Sequence, residues 1–118
     1  MRQFITINQR AFIKLSNMTK TKFDLADVVI FEYISKFAIS NHSIKKLIDN
    51  KIFVWCTYKK IIDDNPLLNI ENKRVLERRI SKLVETGLLE KYVDKLQGNK
   101  TFFNVTDLAF NSIIDFQN

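Results

Sequence analysis

Residues Thr57–Lys91, TYKKIIDDNPLLNIENKRVLERRISKLVETGLLEK, decide how this chain folds. Thr57 can cap a short helix that begins at Tyr58, because its hydroxyl oxygen can accept from an otherwise unpaired amide of the first turn. Pro66 disfavours helical backbone at Asn65, so the helix stops there and the chain crosses Leu67-Leu68-Asn69-Ile70 as an apolar turn. A second helix is predicted over 71–86, with Val75, Leu76, Ile80, Leu83 and Val84 on one side and Gly87 placed to take the left-handed stop. Its other side carries Lys73, Arg74, Glu77, Arg78, Ser81, Lys82 and Glu85, with Arg79 near the boundary.

Working outward, Asp24 can cap a helix over 24–39 with Asp27 at its third position, and Leu25, Val28, Phe31, Ile34 and Phe37 follow at helical spacing. Asn41, His42 and Ser43 break that helix, and SIKKLIDNK reads as one loose turn. Ile52-Phe-Val-Trp-Cys-Thr-Tyr58 is β-branched and aromatic, which suits a short strand. Downstream, 88–94 and 100–106 flank a turn at 95–99 containing Gly98, the pattern of a β-hairpin with a basic tip. Asp107 opens a closing helix through Leu108, Phe110, Ile113, Ile114 and Phe116. Residues 1–22 read as a basic N-terminal arm or packing segment, with 23–118 as one domain.

Composition narrows the class. In 118 residues there are two Gly and one Pro, too few for a turn-rich sandwich or a phosphate-cradling glycine loop. The expected fold is mainly α with a small β-hairpin (α+β). One cysteine, Cys56, cannot form an internal disulfide, and no signal peptide or membrane-spanning run is visible, so a cytoplasmic location is expected. The net charge is +6, and Arg2, Arg10, Lys14, Lys20 and Lys22 supply +5 of it with no acid among residues 1–22. Such a balance suits a polyanionic partner.

The order of helix, strand, short helix, apolar turn, basic helix, glycine stop and hairpin resembles the winged helix-turn-helix family. The likeness covers roughly residues 24–107, and LVETGLL at the helix-to-wing junction is its most specific part. VWCTYKKIIDDNPLL is similar to DNA-binding domains of phage and plasmid replication initiators or replisome organisers. The resemblance implies double-stranded DNA as partner, with Asn72, Lys73, Arg74, Glu77, Arg78 and Ser81 reading bases. It implies backbone contacts from Thr57, Tyr58, Lys59 and Lys82, and from Lys95, Gln97, Asn99 and Lys100 at the wing tip. Arg and Asn suit base reading because each can make two hydrogen bonds to one purine edge.

Other readings compete. The charged side of the second helix is equally a solvated face in which Glu77 or Glu85 pairs one turn away. Asp63, Asp64, Glu90 and Asp94 lie near the proposed surface, where free carboxylates would repel phosphate. His42 and Cys56 lack zinc spacing, and Asp63 with Asp64 lacks the further groups of a nuclease, so neither metal, cofactor nor enzymatic activity is expected. Phe53, Trp55, Tyr58, Tyr92, Phe102 and Phe103 are expected to serve the core and hairpin rather than to stack on bases. The main alternative is a winged-helix interaction module, which docks a replication protein or a second copy of itself through the apolar end pieces Phe4–Leu15 and Leu108–Phe116. A small nuclease accessory is a third.

Overall fold

The computed structural model describes the backbone of residues 4–117 and the side chains of residues 5–115; Arg2 and the side chains of Phe4 and Phe116 fall outside the described residues. The architecture is α+β: strand β1 (Phe4–Ile7), helices α1 (Gln9–Thr19) and α2 (Leu25–Ile39), strands β2 (Lys45–Ile48) and β3 (Lys51–Trp55), helices α3 (Tyr58–Asp64) and α4 (Lys73–Glu85), strands β4 (Leu89–Asp94) and β5 (Lys100–Val105), helix α5 (Asp107–Ser112) and strand β6 (Ile114–Gln117). One antiparallel sheet has the order β2-β3-β5-β4, and β1 pairs with β6 in a separate ribbon. In the larger sheet Val54 faces Phe103 and Trp55 faces Phe102.

The core forms where α2 and α4 meet each other and one face of the sheet. Phe31, Ile34, Leu76, Ile80, Leu83 and Phe103 are fully buried there. The helix-period residues of the sequence thus lie inside, and burying each contributes about 1.5–3 kcal/mol. At the end of α4 the Gly87 amide donates to the Val84 carbonyl and the Leu88 amide to Leu83, both at 3.0 Å. Gly87 has φ +84°, the left-handed backbone this stop requires. The Thr106 hydroxyl donates to the Gly87 carbonyl at 2.6 Å and also caps α5, so the hairpin base is tied to the end of α4.

Two sequence expectations change. SIKKLIDNK is not a loose turn: Lys45–Ile48 form β2, joined to β3 through Asp49 and Asn50, which both have positive φ. That is the condition for a two-residue type I′ hairpin, reached here without glycine. The closing helix stops at Ser112, and Ile114–Gln117 leave as β6 because pairing with β1 satisfies their backbone and buries Ile114. Of the two readings of the N-terminal segment, arm or packing segment, residues 5–20 take the second and pack on the body. Asn8 caps α1, and the Phe12 ring packs edge-on against Phe23 and Phe31 with centroids 5.0 and 5.6 Å apart. The apolar end pieces are therefore largely consumed within one chain, with Ile7, Phe12, Ile113 and Ile114 buried.

One buried charge fixes α4 against α2. Asp27 is 0% exposed; its carboxylate accepts from Arg79 at 3.1 Å, from Lys82 at 2.6 Å and from the Asp24 amide at 3.0 Å. Asp24 completes the box, accepting from the Asp27 amide at 3.2 Å and from Arg79 at 2.6 Å. Removing one side of such an arrangement strands the other. Asp27→Asn should lower unfolding free energy by about 2–3 kcal/mol in urea denaturation, below the usual cost of breaking a buried pair because Arg79 and Lys82 keep access to water. The Arg79 guanidinium also holds the Asp24 carboxyl below its ordinary range. That contribution is complete above the unfolded carboxyl's pKa and fades as pH falls through the lowered one, so acid melting curves should show a smaller loss of stability in Asp24→Asn than in the parent chain.

Candidate nucleic-acid interface

Helix α4 sorts its cations by face. Arg79 and Lys82 turn toward α2, and Lys82 also donates to the Lys22 carbonyl at 3.2 Å and sits 5.9 Å from the centre of the Phe23 ring. Lys82 is therefore a structural cation, not the free phosphate contact that the resemblance implied. The reason is spacing: positions 79 and 82 lie one turn apart on the edge facing Asp27.

The outer face is different. Lys73, Arg74, Glu77, Arg78 and Ser81 are all exposed, and among the described residues no hydrogen bond or ion pair engages their side chains. Among the described residues, neither Glu77 nor Glu85 forms the pairing one turn away. Asn72 precedes the helix as its cap, its side-chain oxygen accepting from the Val75 amide at 3.1 Å. Its amide nitrogen remains a donor at the end of the same stripe. Glu85, also exposed, lies one turn beyond Ser81 on the same face, so three cations and two acids leave it a formal +1.

Helix α3 offers less than its sequence suggested. Thr57 is its cap, accepting from the Lys60 amide at 3.1 Å, and its own hydroxyl proton is still available. Lys59 is exposed but paired with Asp63 at 2.6 Å, an exposed pairing worth a fraction of a kcal/mol and readily exchanged for phosphate. Tyr58 turns inward: its hydroxyl is buried without a partner, its ring lies 6.4 Å from Phe103, and the Lys91 ammonium stands 5.4 Å from its centre. Its hydroxyl is not placed to reach a phosphate.

The β4–β5 hairpin ends in a single 3-10 turn, Lys95–Gln97, closed by Gly98 and Asn99 with φ +74° and +60°. Lys95, Gln97 and Asn99 are exposed, whereas the Lys100 ammonium lies 4.6 Å from the centre of Trp55. The four acids near this surface each lie beside a lysine, Asp63 by Lys59, Asp64 by Lys60, Glu90 by Lys51 and Asp94 by Lys46, and of these only Asp94 is held in a buried pair. Asp94 is almost fully buried, and its Lys46 partner holds its carboxyl below the ordinary range. The Lys46 ammonium also lies 5.6 and 5.9 Å from the rings of Tyr92 and Phe102, so the aromatic residues on this sheet face pack on one another beneath a lysine.

Chemistry of other kinds finds little material. Among the described residues no group of three or more His, Cys, Asp or Glu could hold a metal ion, and no helix is long and apolar enough to cross a membrane. Burial pushes the Cys56 thiol up to about 12, which keeps it protonated and unreactive at neutral pH. Leu96 is the residue of the tip that sequence reasoning passed over; its signal was a lone apolar side chain inside a basic turn. Comparison with known proteins finds no matching family model, curated protein or solved structure.

The two faces of α4 should respond differently to truncation. Arg74→Ala and Arg78→Ala should leave stability within about 0.5 kcal/mol of the parent, as for exposed unpaired side chains. Lys82→Ala should cost about 1–3 kcal/mol by leaving part of the Asp27 carboxylate unpaired. Thermal or urea unfolding of the three variants side by side reads the contrast directly.

Proposed function

We propose that this chain is a winged helix-turn-helix that binds double-stranded DNA in a sequence-specific, non-enzymatic role, in replication initiation or transcription control of a bacterium, plasmid or phage. In this reading α3 and α4 are the helix-turn-helix, α4 enters the major groove, and the β4–β5 hairpin is the wing. The order α2, β3, α3, α4, β4, β5, with β3 paired to β5, supports it. The observation that carries it is the stripe of Lys73, Arg74, Glu77, Arg78 and Ser81, whose side chains have no partner among the described residues, with the amide nitrogen of the capping Asn72 at its head. A protein pays in self-repulsion for free cations along one helix face, and base edges and phosphates are the partners that suit them.

The roles divide by chemistry. Arg74, Arg78 and Asn72 have the paired donors that distinguish purine edges, and Glu77 can accept from a cytosine amine. Lys59, Lys95, Gln97, Asn99, Lys100 and the Thr57 hydroxyl would hold the sugar-phosphate backbone and set register. Arg10, Lys14, Lys20 and Lys22 add field from a packed helix and its following loop rather than from a flexible arm. No cofactor enters this reading, and such a protein would work in the cytoplasm beside its DNA.

A second reading, docking of a protein or of a second copy, has one specific observation in its favour. Leu67 is 94% exposed beside Leu25, Ala26, Val29, Pro66 and Leu68, which line an open hollow of about 500 Å³ between α2 and the turn after α3. Exposed apolar surface of this kind marks contact sites.

Fluorescence anisotropy of labelled duplex separates the two. Duplex affinity should fall by about 10³-fold or more between about 50 and 200 mM salt if several phosphates are engaged. Arg78→Ala should lose about 1–3 kcal/mol at a preferred site and less on random duplex, whereas Lys100→Ala should weaken both alike. Negligible binding at both salt concentrations would favour the docking reading.

A further inference from the structure

Resting on the DNA-binding reading, we infer that Leu96 is a wedge that enters the minor groove and partly unstacks a base step. Leu96 is 98% exposed, an apolar side chain at the tip of a basic hairpin. Its backbone is held, not loose. The buried Asp94 carboxylate accepts from the Leu96 amide at 3.1 Å and from the Lys46 ammonium at 2.6 Å. On the other side the chain returns through Gly98 and Asn99 in left-handed backbone, and Lys100 is braced over Trp55.

The neighbours identify the occupant. Lys95 and Lys100 flank the tip, and the nearest acid, Asp94, is buried and neutralised. A single leucine amid polar and basic side chains has too little apolar surface around it for a protein interface, which needs an apolar core with a polar rim. It suits a narrow slot with a hydrophobic floor of stacked bases and two rails of phosphate. Apolar residues inserted from the minor groove separate steps in this way and bend the duplex toward the major groove. Pyrimidine–purine steps yield most readily, so TA steps are the expected point of entry.

The test uses the full chain and a short duplex of alternating T-A steps, with 2-aminopurine replacing some adenines, at low salt. Anisotropy of an end label reports binding, and 2-aminopurine fluorescence reports unstacking. The parent chain at saturation should give a clear rise in fluorescence, because partial unstacking relieves the quenching of 2-aminopurine by its neighbours. Leu96→Ala should abolish most of that rise at saturation, and Leu96→Met should keep it; neither change touches the core, since the side chain is in solvent. Binding by the parent chain with flat fluorescence, or an undiminished rise with Leu96→Ala, overturns the wedge and leaves the DNA-binding reading standing. No anisotropy change with the parent chain overturns both.

Discussion

The carboxylate of Asp27 is the constraint on which the rest of the molecule turns. It is enclosed in the first turn of α2, where it accepts from the amide of the capping Asp24 and receives two cations from α4. A charge withdrawn from water costs several kcal/mol unless its lone pairs are satisfied. Only one rotation of α4 about its axis brings both Arg79 and Lys82 to that carboxylate. The same rotation puts Leu76, Ile80 and Leu83 into the core, so apolar packing and ion pairing demand one orientation.

With the rotation set, the remaining charged positions follow from helix geometry. Residues 74, 77, 78, 81 and 85 recur at three- and four-residue intervals and share the face turned away from the core. The glycine stop then fixes where the hairpin begins, since the amides of Gly87 and Leu88 close back on α4 and Thr106 clamps the Gly87 carbonyl. A second buried carboxylate, Asp94, repeats the device at the far end of β4, where it organises the turn carrying Leu96. Both buried acids thus determine where free cations point.

Much of this was legible in the residues. Helix period, the Asp24–Asp27 cap, Pro66 and Gly87 are local signals, and they located α2, α3, α4 and the β4–β5 hairpin to within a few residues. What stayed hidden depends on partners distant in the chain. Nothing near Ile114 says that it will pair with Ile7 rather than continue a helix. Asp49-Asn50 makes a hairpin turn without the glycine that usually advertises one. Lys82 and Arg78 look alike in sequence, and only the three-dimensional position of Asp27 separates the structural lysine from the free arginine. The Tyr58 hydroxyl is withdrawn from the surface by distant partners too, its ring being drawn toward Phe103 and Lys91.

The account stands on the outer face of α4 being the surface that meets a duplex. The most direct measurement is a titration of the isotopically labelled chain with a short duplex, following backbone amide resonances by NMR. Shifts should concentrate at Lys73, Arg74, Glu77, Arg78 and Ser81, with a second cluster at residues 95–100. Perturbation confined to Leu25, Val29 and Leu67, or spread thinly over every exposed lysine with α4 unmoved, would contradict it.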